Sequence, residues 1–400
     1  MTELIDSFFR VPEHDSIVYY MFVIFTGSAI LATLALYARQ ALVVGYIILG
    51  LIVGPSVLGY VQNVSLLKDI SEIGITFLLF LLGLHLEPQD LLNTMRKSTL
   101  VTLLSSLAFM GATMLLASWF GFNFQDSLVI GAAMMFSSTI IGLKLLPTTV
   151  LHHRYTGQII VGVLLFQDLI AIMLLLLIEG FSESDAPLYD IALMTLRLPL
   201  LIGFALLFER YIIITLIQRF DRIQEYIFLM TIGWCLGMAE LAYMLKLSHE
   251  IGAFIGGVAL ASSPIARFIA ENLKPVRDFF LILFFFSLGA GLDTQNLYDV
   301  MLFATVLAAM LLLIKPLVFK WLLQSLGEEN RLSLEVGVRL GQISEFSLLI
   351  AVLAASSNVI TESASYAIQA ATVITFIISP YLIVLRYPTP IAVSDRLRRD

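Results

Sequence analysis

The feature that most constrains this chain is a long apolar segment with a charged residue near its middle. Residues 157–180 read GQIIVGVLLFQDLIAIMLLLLIEG, which is long enough to cross a bilayer as a helix. Gln167 and Asp168 interrupt its apolar centre. A charge at the centre of a membrane helix costs about 2.5–3.5 kcal/mol on insertion scales, and such residues commonly line ion or proton pathways. The segment therefore predicts an ion site at Asp168, with a structural aspartate tied to a neighbouring helix as the alternative.

Similar apolar segments fill the rest of the chain. Hydrophobic residues make up 59% of it and charged residues only 13%, against about 25% charged residues in soluble domains. We predict an all-α polytopic membrane protein with thirteen transmembrane helices. No Gly-rich nucleotide fingerprint, Cys/His metal spacing or nucleophile elbow is present, so the sequence predicts neither an enzyme nor a bound cofactor, and no nucleic-acid partner. The predicted spans, in order, are 16–37, 42–60, 67–86, 98–120, 126–147, 157–180, 190–217, 225–245, 247–265, 275–292, 297–323, 332–357 and 364–386.

The distribution of basic residues predicts the orientation in the membrane. With the N-terminus outside, sixteen of the 23 Lys and Arg residues fall in cytoplasmic segments or span ends, three fall outside, and four lie within spans. Such a bias towards the cytoplasmic side is typical of membrane proteins. An odd number of spans places the C-terminus and the basic tail 391–400 in the cytoplasm.

The chain also resembles itself at an offset of about 207 residues. Residues 45–50 recur as 252–257, and residues 80–91 recur as 286–297. Spans 1–6 and 8–13 are then two repeats, with span 7, at 190–217, as their connector. Because seven spans separate equivalent helices, the two repeats have inverted topology, which is typical of secondary transporters.

The same offset relates two polar interruptions. Ser137, Ser138 and Thr139 lie at the centre of span 5, and the offset places them opposite Ser344 and Glu345 in span 12. Matching polar breaks in two repeats favour discontinuous helices that cross near an ion site. The alternative is that these hydroxyls bond back to the preceding turn of a continuous helix.

Three of the other charged residues within the spans are assigned roles. Lys315, deep in span 11, is expected either to counter Asp168 or to neutralise the half-helix C-termini of span 12. Glu345 is interpreted as a structural counter-charge or as part of the proton path. Arg339, near the cytoplasmic start of span 12, is interpreted as a side chain that reaches the membrane interface.

Together these residues resemble a known family. The run 72–88, the Ser-Ser-Thr break at 137–139, Leu-Phe-Gln-Asp at 165–168, the buried Lys315 and Gly-Gln-Ile-Ser-Glu-Phe at 341–346 are similar to the Kef-type potassium/proton antiporters. These belong to the second monovalent cation:proton antiporter family. The resemblance extends over about residues 20–386 and implies an inverted-repeat antiporter fold, a homodimer, and an aspartate at Asp168 that alternately carries cation and proton.

The resemblance also implies a division of the chain. An ion-translocating core of 98–180 and 297–386 would move against a scaffold of 16–86 and 225–292, all within one membrane domain at 1–390. We expect Asp168 to hold K⁺ or Na⁺. The residues expected to bind the cation and proton are Asp168, Gln167, Ser138 and Thr139. Those expected at the helix crossing are Lys315, Glu345, Ser137, Ser344 and Gln342.

The sequence departs from the Kef-type family in two ways, and each limits which family features are expected in this protein. Glutathione-gated members continue into a cytoplasmic nucleotide-binding domain, so regulation is expected from a missing or separate domain. The loop 268–275 carries fewer acids than in gated members, which argues against glutathione gating. We expect K⁺/H⁺ exchange in a bacterial inner membrane. The alternatives are a Na⁺/H⁺ antiporter, a ligand-gated K⁺ efflux system and a sensor built on a transporter fold.

The orientation is directly testable. Single cysteines at Ser7 and Asp395 should react with a membrane-impermeant reagent from opposite sides, with Ser7 labelled from outside. The measurement is labelling of intact cells against inverted vesicles. Labelling of both positions from the same side would contradict the thirteen-span topology.

Overall fold

The computed structural model describes residues 17–61, 64–85, 88–146, 155–182, 187–220, 223–261, 263 and 265–389. Almost all of these residues are helical. Two of the regions predicted from sequence, the N-terminus with Ser7 and the tail 391–400, lie outside the described residues.

The helices occur in the order of the predicted spans. Spans 5 and 12 are each divided into two shorter helices, and span 7 contains a π-helical turn at Glu209–Ile213. The α-helices are α1 Ile17–Tyr37, α2 Leu42–Val53, α3 Val64–His85, α4 Pro88–Trp119, α5 Phe124–Ala133, α6 Thr139–Lys144, α7 Tyr155–Ser182, α8 Pro187–Phe208, α9 Ile214–Arg219, α10 Gln224–Met244, α11 His249–Ala261, α12 Ala266–Ala290, α13 Thr294–Ser325, α14 Asn330–Arg339, α15 Glu345–Ser356 and α16 Glu362–Val384.

Seven helices within the described ranges are long and apolar enough to cross a membrane, and four shorter apolar helical stretches accompany them. The protein is therefore an all-helical, multi-pass membrane protein. Several helices extend beyond the predicted apolar limits. Helix α4 begins at Pro88 and α12 at Ala266, whereas the predicted spans began at 98 and 275. The added turns carry polar side chains, which hydropathy excludes from a span although they continue the helix.

The chain divides into two compact units. The first unit comprises the chain up to Leu78 together with Lys274–Thr294, and the second comprises Leu79–Leu273 and the chain from Gln295 onwards. The core of the first unit packs α1 and α2 against α12. Tyr20 and Ile24 from α1 meet Leu49 from α2 and Phe286 from α12, and all four are buried.

The second unit holds Gln167 and Asp168 on α7. Its core joins α4, α7, α13 and α14, with Phe109 edge-to-face on Phe319 at 5.4 Å between ring centroids. Helix α14 approaches α13 closely because Gly337 lies against Pro316, where a Cβ would be 2.6 Å from the proline oxygen. This contact places the end of α14 beside Lys315, the residue that precedes Pro316.

Glycines allow close contacts in both halves of the chain. A Cβ on Gly45 would lie 3.2 Å from the oxygen of Leu31, where α2 packs on α1. A Cβ on Gly252 would lie 2.2 Å from the oxygen of Met238, where α11 packs on α10. Both members of the second pair lie 207 residues after those of the first. The sequence match at this offset therefore coincides with a matching helix contact.

A second pair of contacts behaves in the same way. A Cβ on Gly50 would lie 2.0 Å from the oxygen of Phe286, where α2 meets α12. A Cβ on Gly257 would lie 2.0 Å from the oxygen of Phe80, where α11 meets α3. Gly257 lies 207 residues after Gly50, and Phe286 lies 206 residues after Phe80. The glycine comes first along the chain in one contact, and the phenylalanine comes first in the other. Each helix of one contact therefore has its counterpart in the other.

These contacts predict opposite effects for one chemical change. Gly257→Ala should lower the free energy of unfolding by about 1–3 kcal/mol, because its Cβ meets backbone rather than a flexible side chain. Gly237→Ala, on α10, has nothing within 4 Å of the added Cβ and should gain the roughly 1 kcal/mol helix preference of alanine. Thermal unfolding of the detergent-solubilised proteins measures both. Equal melting temperatures for the two variants would contradict the close approach.

Candidate ion site

Two interrupted helices meet in the second unit. Helix α5 ends at Ala133 and α6 begins at Thr139, while α14 ends at Arg339 and α15 begins at Glu345. A serine side chain caps the N-terminus of each helix that follows a break, α6 and α15. Ser138 Oγ accepts from the N–H of Ile141 at 3.1 Å, and Ser344 Oγ accepts from the N–H of Phe346 at 3.1 Å. Such capping satisfies donors that the first turn of a helix leaves unpaired. Both interruptions fall at the polar residues that the sequence indicated.

Gln167 bonds the backbone of the first break. Its Oε1 accepts from the N–H of Ser137 at 2.9 Å, and its Nε2 donates to the oxygen of Met135 at 3.2 Å. The side chain is fully buried. A donor and an acceptor of the unwound backbone are thus satisfied by one amide, which holds the break against α7.

The two breaks are also bonded to each other. Ser137 Oγ donates to the oxygen of Leu340 at 2.8 Å, and Gln342 Nε2 donates to the oxygen of Ser138 at 3.3 Å. Ser347, in the first turn of α15, donates its hydroxyl to the oxygen of Ala133 at the end of α5. The sequence predictions for Ser137, Ser138 and Gln342 therefore fall on residues that the structure brings together.

Lys315 reaches the same crossing from α13. Its ammonium is fully buried, donates to the oxygens of Phe136 and Gln342, and lies 5.3 Å from the centroid of the Phe109 ring. Each oxygen belongs to a break, just beyond a first half-helix whose end carries partial negative charge. Within the described residues no ion pair joins Lys315 to Asp168. Two roles for Lys315 were considered from the sequence, to counter Asp168 or to neutralise half-helix ends. The observed contacts agree with the second role.

Asp168 faces the start of the second half-helix. Its side chain is only 1% exposed, and Thr139 Oγ1 lies 3.3 Å and 3.2 Å from its two carboxylate oxygens. Glu345 is the first residue of α15, the half-helix that follows the second break. The arrangement offers a buried carboxylate and a hydroxyl, which are oxygen donors able to bind a proton or a hard cation.

Helix α16 contributes side chains that the sequence did not single out. Ser379 Oγ donates to Gln342 Oε1 at 3.0 Å, and Thr375 Oγ1 accepts from the N–H of Ile343 at 3.1 Å. Both hold the second break in place. Thr372, Thr375 and Ser379 are spaced by three and four residues, which places their hydroxyls on one face of the helix. This spacing was the only sequence pattern that could have indicated their role.

A buried carboxylate at the other end of α5 was also missed. Asp126 is 3% exposed and accepts from the N–H and the hydroxyl of Thr361, each at 2.9 Å, and from Asn123 Nδ2 at 2.9 Å. Thr361 caps the start of α16. The first half-helix is thus tied to α16 at its start, far along the helix from the break.

One interpretation made from the sequence was wrong. Arg339 does not extend to a membrane interface, because it is fully buried. Its position near a predicted span end suggested exposure, whereas its guanidinium is surrounded by acceptors from distant parts of the chain.

A family of membrane transporters shares this sequence pattern. The model of the transmembrane sodium/hydrogen exchanger family matches residues 22–384. The chain belongs to this family. The family is described as one of sodium/hydrogen exchangers, so it is a family of transport proteins.

Relatives within the exchanger family include potassium efflux proteins. The chain is 29% identical over 368 residues to the glutathione-regulated potassium-efflux system protein KefC of Salmonella typhi, covering 90% of this chain and 59% of KefC. It is 28% identical over 344 residues to the iron transporter MagA of Paramagnetospirillum magneticum, covering 86% of this chain and 79% of MagA. The chain spans 55–66% of the length of several other relatives. The resemblance to Kef-type antiporters is confirmed.

A solved structure shows the same fold. The sodium proton antiporter MjNhaP1 from Methanocaldococcus jannaschii superimposes with a TM-score of 0.65 at 18% identity, covering 92% of this chain and 95% of that one. This likeness shows that the two chains share a fold.

The bonds of Gln167 predict a large effect of its removal. Gln167→Leu should lower the free energy of unfolding, because two buried backbone groups lose their partners at about 1–3 kcal/mol each. Gln158→Leu is the matched control, since Gln158 is exposed on the same helix. The measurement is thermal unfolding in detergent. A Gln167→Leu protein as stable as the control would show that the amide does not hold the break.

Proposed function

We propose that this protein exchanges K⁺ for protons across a bacterial cytoplasmic membrane, with Asp168 binding one and then the other. The observation that carries the proposal is the burial of Asp168 beside Thr139, where one interrupted helix resumes. A carboxylate removed from water is most stable when a proton or a cation neutralises it. Binding of one therefore excludes the other, and this competition is the basis of exchange.

The proposal assigns different tasks to the predicted residues. Asp168 and Thr139 supply oxygens directly to the cation. Gln167 and Ser138 act on the backbone of the first break, since their side chains bond main-chain groups there. Lys315 keeps the crossing electrically balanced, so that the unwound carbonyls stay in position as the carboxylate changes state.

At the second break, Ser344 caps α15, and Gln342 bonds both the first break and α16. Glu345 begins α15 directly after the capping residue Ser344. We assign these three residues to the geometry and the charge of the crossing, with the cation held on the Asp168 side.

Potassium is favoured over sodium for two reasons. Gln167 is uncharged, so a single carboxylate with an amide neighbour offers a weaker field than two adjacent carboxylates, which suits the ion that loses its water more easily. The name of the relative KefC refers to potassium efflux. Na⁺/H⁺ exchange is the second candidate, because the structural neighbour MjNhaP1 is a sodium proton antiporter.

We further propose the finer architecture of thirteen membrane spans in two inverted repeats, 1–6 and 8–13. The support is the set of glycine contacts that recur 206 or 207 residues apart, together with the seven spans between equivalent helices. The proposal includes a core of 98–180 and 297–386 moving against a scaffold of 16–86 and 225–292. Alternating access is then a relative motion of these two parts.

The surroundings of the exchanger form part of the same proposal. The excess of basic residues on one side supports an outside N-terminus and a cytoplasmic C-terminus. The resemblance to Kef-type antiporters supports a homodimer in contact with lipid. Its regulation by a cytoplasmic nucleotide-binding domain, on this or a separate chain, is proposed from the same resemblance.

The test is exchange in proteoliposomes that contain a pH-sensitive dye. Addition of K⁺ should release internal protons faster than the same concentration of Na⁺, Rb⁺ or Li⁺. Asp168→Asn should reduce exchange to the rate of protein-free liposomes, because an amide cannot alternate between a proton and a cation. Asp299→Asn, which changes an exposed residue of α13, should exchange normally.

Each part of the proposal can fail separately. Exchange retained by a folded Asp168→Asn protein would remove Asp168 from the mechanism. Faster exchange with Na⁺ than with K⁺ would replace the cation while leaving the antiport mechanism in place. Unfolding temperatures of both variants distinguish loss of exchange from loss of structure.

A further inference from the structure

Arg339 joins three separate parts of the chain. Its Nε donates to Glu335 Oε1 at 3.0 Å within α14, its Nη1 to the oxygen of Leu145 at 3.0 Å, and its Nη2 to the oxygen of Pro388 at 2.8 Å. Leu145 comes directly after the last residue of α6, and Pro388 lies beyond the end of α16. A single buried guanidinium therefore contacts α14, the end of the second half-helix and the segment after the last helix.

These contacts require an arginine. A guanidinium presents several N–H donors in a rigid planar fork, whereas an ammonium is a point charge on a flexible stem. The oxygen of Leu145 lies at the C-terminal end of α6, and Arg339 is itself the last residue of α14, so a positive charge here is attracted to two helix ends. Glu335, 20% exposed, supplies the counter-charge.

Helix α6 connects Arg339 to the cation site. The helix has only six residues, or about 9 Å of length, and is too short to be stable alone. Ser138 caps its start, and Arg339 bonds the oxygen of Leu145 just past its end. Thr139, which contacts Asp168, is its first residue. A displacement at Leu145 therefore moves the hydroxyl of Thr139 relative to the carboxylate.

The third partner is a buried segment at 387–389. Tyr387 and Thr389 are 7% and 0% exposed, and the Tyr387 ring lies 5.6 Å from the guanidinium carbon of Arg339. The N–H of Tyr387 donates to the oxygen of Ile383 at 2.9 Å, a bond of the helical i to i−4 type that continues the last turn of α16. The ring and the oxygen of Pro388 thus hold the guanidinium from the C-terminal side of α16.

We propose that Arg339 is a positioning residue for the cation site, and that through it the segment 387–389 sets the affinity of that site. The inference rests on the proposed function, because it needs a cation at Asp168. A displacement of the chain beyond α16, such as the docking of a regulatory domain would cause, would reach the site by moving the segment, then the guanidinium, then α6 as a rigid unit.

The first test is Arg339→Lys in the proteoliposome assay. The half-saturating K⁺ concentration should rise about tenfold, the lower end of the loss seen when a residue supporting a metal ligand is changed. The maximal rate should stay within about twofold, because the reacting carboxylate is intact. Arg331→Lys, an exposed arginine in the first turn of the same helix, is the matched control and should leave both values unchanged.

The second test is Tyr387→Ala, which leaves the guanidinium in place. The half-saturating K⁺ concentration should rise in the same direction, and the double variant should be no worse than Arg339→Lys alone, because both act through one path. If Arg339→Lys fails to fold, the test uses Tyr387→Ala instead. Its affinity for K⁺ is then measured from the rise of its melting temperature with K⁺ concentration.

The outcomes separate this inference from the proposed function. Wild-type half-saturation in Arg339→Lys, or an unaltered value in Tyr387→Ala, would overturn the inference while Asp168→Asn still abolishes exchange. Cation-driven exchange in Asp168→Asn would instead overturn the proposed function.

Discussion

Backbone groups exposed by a helix break inside a membrane must find partners within the protein, because lipid offers none. The crossing depends on this constraint. Gln167 satisfies a donor and an acceptor of the first break, and Lys315 donates to an oxygen of each break. Once these partners are in place, the unwound backbone can stay unwound. The candidate site at Asp168 lies where the helices around it are prevented from continuing.

Close helix contacts provide the second requirement, a frame in which the crossing can be held. The glycine contacts at Gly50 and Gly257 bring one helix backbone onto another with no intervening side chain. In a membrane, where apolar side chains gain little from leaving lipid, such backbone proximity is a principal source of helix association. The same type of glycine-to-backbone contact therefore occurs at two places in the chain.

The sequence predicted the parts of this site that are locally unusual. Asp168, Gln167 and the break at 137–139 are polar residues within apolar runs, and the structure brings all of them together. The all-helical membrane class was evident from hydropathy, but the length of helices such as α4 was not, because their polar extensions carry no hydropathy signal.

The sequence could not reveal which distant groups meet. Arg339 bonds oxygens that lie 194 and 49 residues away, so no local pattern distinguishes it from an arginine at a helix end. The hydroxyls of Thr372 and Thr375 both donate to the preceding turn of their own helix, as hydroxyls in membrane helices commonly do. Thr375 also accepts from the second break. The alternatives for Lys315 likewise differ only in tertiary contacts.

The burial of Asp168 has a consequence for the empty carrier in the proposed exchange. A carboxylate that is only 1% exposed is costly to leave without a positive occupant, so the reorientation of an unoccupied site would face an added electrostatic barrier. A carrier that cannot easily return vacant must return loaded. In the proposed exchange, leakage of one ion without the other is then opposed by the cost of an unneutralised buried carboxylate.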